Sequence, residues 1–333
     1  MSLTDQISQI ADLPLDVSAA PMRASRRGEL PMDLSLRNGG VASIILRFEL
    51  AGRDDAPVLL VAGGISAGRH VVATAEFPEG GWWQAQAPSF DLERFRLLSI
   101  DWIGADGTLD RPIDPADQAE AIARLLDNLR IERLAGIVGA SYGAMVGLHF
   151  AALHPARCGA VLAISAAGSA HPFASACRAL QRRALTLGAP EEGVALARAM
   201  AMLTYRTPQE FADRFAAGPR VEHGRVRVAA EDYLDAQGQR HVGRMSATAY
   251  RRLSESIDLH RVDPAELRIP VTLVAVDSDA LVPAADVDAF ARAIPRVSYH
   301  CISSRFGHDA FLKEDVAIAG ILSPFLTSLE LVR

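Results

Sequence analysis

Ser141 stands in Gly139-Ala-Ser-Tyr-Gly143, with one apolar run before it and another after it. Small residues around a serine, between a strand-like and a helix-like segment, are the pattern of a nucleophile held in a tight turn. The strained turn lifts the hydroxyl above a sheet, and neighbours without bulk let strand and helix approach closely. The amide of Tyr142, at the start of the following helix, would then face an oxyanion forming on a substrate carbonyl. Ordinary glycine-rich turns produce the same five residues, so the serine needs partners before it implies chemistry.

A hydroxyl is a weak nucleophile and requires a base, itself oriented by an acid. The last third of the chain supplies both, in the order Ser, Asp, His. "VTLVAVDSDALVP" closes a β-type run at Asp277 and Asp279, and "SSRFGHDAF" places His308 in a loop 29 residues after Asp279. That interval holds a helix and a strand. Asp279 lies further past the strand end and is preferred as the acid, whereas Asp277 suits a turn cap. His308 is one of nine histidines, and only its order after Ser141 and Asp279 singles it out. A second oxyanion donor is expected in the loop "VAGGISAGRH" (61–70), where Gly63 and Gly64 permit close approach of the backbone to a ligand.

Elements that could position these groups follow from the apolar pattern. β-type runs occur at 43–50, 57–62, 95–101, 134–139, 160–165, 270–279 and 297–303. Between two of them, residues 114–130 carry Ala119, Ile122, Ala123, Leu126 and Leu129 at helical spacing, with Asp117 as the expected cap. This alternation predicts an α/β protein with a mostly parallel sheet covered on both faces. Residues 166–265 lack convincing strands and read as a helical lid inserted into a core of 41–165 and 266–333, after an irregular lead-in over 1–40. The apolar stretch 134–153 has the length of a membrane span. Its glycines around Ser141, and His149, instead predict a buried strand, a turn and a buried helix.

The composition is that of a globular chain: 333 residues, 22% charged and 50% hydrophobic, with a formal charge of −6. A negative balance argues against a nucleic-acid partner. Three scattered cysteines, without CxxC spacing, suggest neither a disulfide framework nor a zinc site. No His/Cys cluster has ligand spacing and no glycine-rich nucleotide fingerprint occurs, so no metal or redox cofactor is expected. The first residues have no basic start, long apolar run or cleavage pattern, which predicts a cytoplasmic protein without a membrane anchor.

The chain also resembles a known family, the homoserine O-acyltransferases (homoserine O-acetyltransferase family) of the α/β-hydrolase fold, which move an acyl group from acyl-CoA to L-homoserine. "ASYGAM" at the turn, "LTYRTPQEF" (203–211), "EDYLDAQGQRHVGRMSATAYRRLSESIDLH" (231–260), "DSDALVP" and "FGHDAF" carry the likeness, over roughly residues 40–320. The resemblance implies Ser141 as nucleophile, Asp279 as orienting acid and His308 as base, with acyl-CoA as co-substrate, a ping-pong reaction in methionine biosynthesis, and a homodimer. It further implies Asp309 as partner of the substrate ammonium and Arg182, in "LQRRAL", as the group gripping its carboxylate. An Arg fork pairs a carboxylate bidentately, although Arg182 also reads as a solvated helix arginine beside Arg178 and Arg183.

Three stretches depart from the family pattern. "AGGISAGRH" replaces a Leu-Thr-Gly type loop, which leaves Gly64 and Ile65 both open as the second oxyanion donor. The stretch before "QRRAL" lacks the usual asparagine, and "GWWQAQAPSFDLERF" lacks the usual Gly-Pro-Gly; its Trp82 and Trp83 suit a pocket mouth or a core equally. Acetyl is the first expectation for the acyl group, since succinyl needs an extra cation to meet its carboxylate. Succinyl-CoA as donor, or L-serine as acceptor, are alternatives; one methylene in a pocket is worth only ~1–3 kcal/mol. An esterase or thioesterase using the same triad and a non-catalytic binding member of the fold are further alternatives.

Overall fold

The computed structural model describes residues 25–330. In chain order the core begins with strands β1 (Arg26–Leu36), β2 (Gly40–Ala51), β3 (Val58–Ala62) and β4 (Arg96–Ile100). It continues with helix α1 (Pro115–Asn128), β5 (Gly136–Ala140), α2 (Tyr142–Leu153) and β6 (Val161–Ile164). An insert follows: α3 (Pro172–Ala184), α4 (Pro190–Tyr205), α5 (Pro208–Arg214), a hairpin of β7 (Arg220–Glu222) and β8 (Arg225–Arg227), α6 (Ala229–His241) and α7 (Ala247–Leu259). The core resumes with β9 (Val271–Val276), α8 (Ala284–Ala293), β10 (Val297–Ile302) and α9 (Asp315–Glu330).

Eight strands form one sheet in the order β1-β2-β4-β3-β5-β6-β9-β10. From β4 through β10 neighbours run parallel, while β1 and β2 are antiparallel to each other and β2 to β4. β3, β5 and β6 are buried along their whole length. Continuous apolar runs such as "VLLVA" and "VLAI" suit that position, because both faces of a parallel sheet are covered. One apolar cluster fills each face: Leu60, Ile122, Ile137 and Val146 belong to one, and Val61, Val138, Leu162 and Leu322 to the other.

Three details differ from the sequence reading. The lead-in is irregular neither throughout nor to residue 40: 26–36 is β1, an edge strand paired in register with β2. One face of β1 is wet and Pro31 sits in it, which an edge strand tolerates and which hides it from an apolar-run search. Residues 1–24 of that lead-in lie outside the described residues. The insert contains a β-hairpin, turned by His223 and Gly224 at φ 51° and 76°; its three-residue, exposed strands carry no apolar signal. Asp114, not Asp117, caps α1. Its carboxylate accepts from Ala116 N at 2.8 Å, while Asp117 at the third helical position reaches back to Asp114 N at 2.8 Å, a capping box.

The 134–153 stretch is β5 followed by α2, and among the described residues no helix is long and apolar enough to cross a membrane. Helices of the insert lie over the carboxyl ends of the parallel strands, where Ser141, Asp279 and His308 also sit. In open α/β sheets that end is where ligands bind.

Candidate active site

Ser141 has φ 54° and ψ −118°, a strained conformation that persists only when its surroundings impose it. Those surroundings are backbone. Ser141 N donates to Ile164 O at 2.8 Å, and Gly143 N to Gly63 O at 2.8 Å, so the turn is tied to both neighbouring strands. A Cβ on Gly139 would lie 2.5 Å from Gly143 O, and one on Gly143 would lie 2.2 Å from Ala62 O. Neither distance is possible, which is the physical reason for glycine on both sides of the serine.

His308 Nε2 lies 2.8 Å from Ser141 Oγ, and His308 Nδ1 lies 2.7 Å from Asp279 Oδ2. Asp279 is buried and its other oxygen accepts from Leu281 N and Val282 N at 2.9 and 3.0 Å. The carboxylate therefore has fixed orientation, and it fixes the imidazole in turn. Burial disfavours the imidazolium, but the Asp279 charge and hydrogen bond, with Asp309 nearby, outweigh it, and the His308 pKa is raised. Asp277 takes the other task, accepting from Ser304 N at 3.1 Å. Ser278 joins it by bonding Ser304 O and by accepting from Gly307 N at 3.2 Å. The "DSD" run thus holds the histidine loop with its first two residues and the histidine with its third.

The 63–67 loop forms the facing wall. Gly64 O accepts from Ala67 N at 2.9 Å and from Trp102 Nε1 at 3.0 Å. A trans peptide points its N–H opposite to its C=O, so the Ile65 N–H is directed away from Trp102. Gly64, Ile65 and Ser141 all line one cavity of about 190 Å³. Neither Ile65 N nor Tyr142 N has a backbone acceptor among the described residues. The Tyr142 side chain is fully buried, with its hydroxyl 2.7 Å from Ser256 Oγ on α7 and its ring against Trp102 at 4.8 Å. Trp102, which the sequence reading did not single out, thereby braces both amide-bearing segments.

Asp309 lines the cavity beside His308. Burial raises its pKa, against the opposing charges of Arg206 and His308, and Arg206 Nη2 stands 3.4 Å from its carboxylate. Arg206 is itself shared with buried Glu210, which also pairs with Arg214 at 3.0 Å. This gives "LTYRTPQEF" a physical sense. Tyr205 stacks on His308 at 6.0 Å, Arg206 holds Asp309, and Thr207 caps α5 while donating to Arg305 O at 2.6 Å.

Arg182 is not brought to the cavity. Its Nη1 pairs with Asp258 at 2.7 Å and donates to Ser254 at 3.0 Å, linking α3 to α7. Arg178, one turn earlier, and Arg198 on α4 are the cavity-lining arginines. Arg178 shares Asp258 with Arg182 at 2.7 Å, whereas Arg198 has no ion pair among the described residues and lies over the Tyr205 ring. The one signal that could have found Arg198 is its spacing of seven from Tyr205, two helical turns on one face of α4. The tryptophans divide: Trp82 lines the cavity, and Trp83 is buried with Nε1 donating to Phe311 O at 2.9 Å.

The comparisons with known proteins point to one family and one fold. Residues 56–315 match the model of the alpha/beta hydrolase fold. A homoserine O-succinyltransferase of Xanthomonas campestris pv. campestris is 54% identical over 308 residues, covering 90% of this chain and 84% of its own. A homoserine O-acetyltransferase of Thermus thermophilus is 32% identical, covering 86% and 87%. A solved homoserine O-acetyltransferase from Bacillus anthracis matches the fold with a TM-score of 0.82 at 15% identity, covering 92% of this chain and 98% of that one. With a relative this similar along nearly the whole chain, the protein belongs to the homoserine O-acyltransferase family of α/β-hydrolase-fold enzymes.

Proposed function

We propose that the protein transfers an acyl group from acyl-CoA to the side-chain hydroxyl of L-homoserine through an acyl-Ser141 intermediate, as a step toward methionine. The observation that carries the mechanism is the unbroken chain Ser141 Oγ, His308, Asp279 at 2.8 and 2.7 Å. His308 Nε2 takes the Ser141 proton as Oγ attacks the thioester carbonyl carbon. The oxyanion rests on the amides of Tyr142 and Ile65. The intermediate collapses with cleavage of the C–S bond, and the thiolate leaves with the proton from His308. Homoserine then enters, its hydroxyl gives a proton to His308, and its oxygen attacks the acyl-serine. The ester bond to Ser141 breaks and Oγ regains the proton. The insert over the cavity restricts water, the competing acceptor.

Asp309 is the partner of the acceptor's ammonium in this reading, and Arg198 takes its carboxylate in place of Arg182. Succinyl becomes the first choice for the acyl group, ahead of the acetyl group expected from sequence. The 54% identical relative is a succinyltransferase, and a second arginine, Arg178, lines the cavity beside Arg198, although it is already paired with Asp258. L-Serine is the alternative acceptor and a homodimer the proposed assembly.

The test is a matrix: CoA release from succinyl-CoA and acetyl-CoA, with and without L-homoserine or L-serine, in wild type and Ser141→Ala. Release that depends on both the acceptor and Ser141 is expected. Acceptor-independent release would make the enzyme a thioesterase, and turnover by Ser141→Ala would exclude the acyl-serine.

A further inference from the structure

Helix α7 serves two places at once. Tyr250, Ser254 and Ile257 line the catalytic cavity, whereas Ala249, Leu253 and Ser256 are fully buried against the core. Steps of four and three residues generate both stripes. The second stripe is apolar except for Ser256, whose hydroxyl lies 2.7 Å from that of Tyr142, a residue equally without exposure. For filling volume alone, Ala and Phe would serve as well. Replacing both partners of a buried hydrogen bond by apolar groups of the same shape is close to neutral for stability. What the hydroxyl pair adds is direction, because a hydrogen bond restricts where the tip of the Tyr142 ring can lie.

That direction matters at the elbow. The peptide between Ser141 and Tyr142 carries an amide offered to the oxyanion, and the Ser141 ψ of −118° sets its plane. A residue held at φ 54° relaxes unless its surroundings resist. Backbone bonds from Ser141 N and Gly143 N fix the turn on either side of Tyr142. Tyr142 itself is held by its side chain: the ring packs edge-on against Trp102 at 4.8 Å, and the hydroxyl ends on Ser256. Both supports are themselves anchored. Ile103, next to Trp102, bonds the Gln118 amide through its N–H and its C=O, at 3.0 and 3.1 Å. Helix α7 is tied to the core on either side of Ser256. Arg252 donates to Asp110 at 2.8 Å, and His260 Nε2 donates to Ala167 O at 2.7 Å.

We infer that the Tyr142 hydroxyl and Ser256 are a positioning pair, through which α7 of the insert holds the Tyr142 amide at the angle a tetrahedral oxyanion needs. Neither residue lines the cavity, so both act through the peptide and not by touching substrate. The inference rests on the acyl-serine reading above. It gives the insert a part in both half-reactions, because acylation and transfer each pass through an oxyanion at the same amide.

The experiment compares Tyr142→Phe, Ser256→Ala and the double variant with wild type. Turnover is measured with succinyl-CoA and L-homoserine, and inhibition with butylboronic acid, which forms a tetrahedral adduct on a nucleophilic serine. Losing an oxyanion donor outright costs about 10²–10³ in kcat, and misaligning one should cost less, about tenfold. Each single variant should therefore lose about tenfold in kcat, with both KM values little changed, and the Ki of the boronic acid should rise by a similar factor. Each also leaves one hydroxyl orphaned and should unfold at a lower Tm. The double variant leaves none, so its Tm should recover while kcat and Ki stay at the single-variant level. Folded variants with wild-type kcat and Ki, or a double variant whose kcat recovers along with its Tm, would make the pair merely structural and overturn the inference. Failure of the underlying reading looks different: the boronic acid would not inhibit wild type, and Ser141→Ala would retain turnover.

Discussion

At the scale of single residues, the site is governed by how burial and charge set protonation. His308 must be neutral to accept the Ser141 proton, and its pKa is raised despite burial because Asp279 and Asp309 favour the imidazolium. The acid limb of kcat/KM is therefore expected above the ordinary imidazole value of about 6.5. Asp309→Asn removes one of the two anions and should move that limb to lower pH, while KM for the amino-acid acceptor rises. A pH profile of both kinetic parameters checks this, and a limb that stays in place would separate Asp309 from the electrostatics of the base. Ser141 itself occupies a backbone conformation that its neighbours enforce. Gly143→Ala must push a methyl against Ala62 O. Overpacking of this kind costs about 1–3 kcal/mol or more, so thermal unfolding of Gly143→Ala should show a clear drop in Tm together with loss of acyl-enzyme formation.

At the scale of elements, the insert is part of the chemistry as well as its cover. The link from α4 to α5 places three consecutive side chains, Tyr205, Arg206 and Thr207, on the histidine loop. Arg206 is anchored by Glu210 one turn later in α5, so the ion pair belongs to the helix start as much as to Asp309. Arg206→Met should leave Asp309 buried without its nearest cation, raising KM for homoserine several-fold. The rate of acylation by a simple ester should change less, because that step does not use the proposed ammonium site at Asp309. Arg206→Lys restores charge without the fork and should recover part of the loss. Steady-state kinetics of the two half-reactions make the distinction, and equal damage to both would indicate a purely structural link. On the opposite side of the cavity, Asp258 of α7 collects Arg178 and Arg182 of α3, which is why the apparent carboxylate ligand in "LQRRAL" is occupied by the protein itself.

At the scale of the whole molecule, three buried histidines outside the triad set the response to acid. Burial lowers the pKa of His149 to about 4, of His241 to about 4 and of His260 to about 3. The unfolded chain binds protons at these positions below pH about 6.5, and the folded chain does not until much lower pH. Stability therefore falls as pH drops from about 6.5 toward 4. His308 has the opposite sign: its raised pKa contributes stability that is fully present below about 6.5 and is lost as pH rises through the folded value. Urea midpoints measured from pH 7 to 4.5 should decline, and less steeply in His260→Asn. A flat curve would show that these histidines are protonated in the fold.

The sequence by itself determined the α/β alternation, the helical insert, the elbow and the order Ser141, Asp279, His308, because each is written in a local pattern: an apolar run, a helical period, or two glycines around a serine. It also pointed to the family through "LTYRTPQEF" and the long stretch after residue 231. The sequence preferred Asp279 to Asp277 by position past the strand end, and the tertiary structure adds what each carboxylate does: Asp279 meets the imidazole, and Asp277 holds the histidine loop through Ser304 N. Only the fold put Arg198 rather than Arg182 in the cavity, and tied the Gly64 carbonyl to Trp102, so that the Ile65 amide is directed away from that ring. β1 and the β7–β8 hairpin escaped notice because edge and surface strands have no continuous apolar signal. The physical reason is common to all of these. Local patterns record what a segment does with its own backbone and its burial, whereas ion-pair partners and shared walls are chosen between segments far apart in the chain.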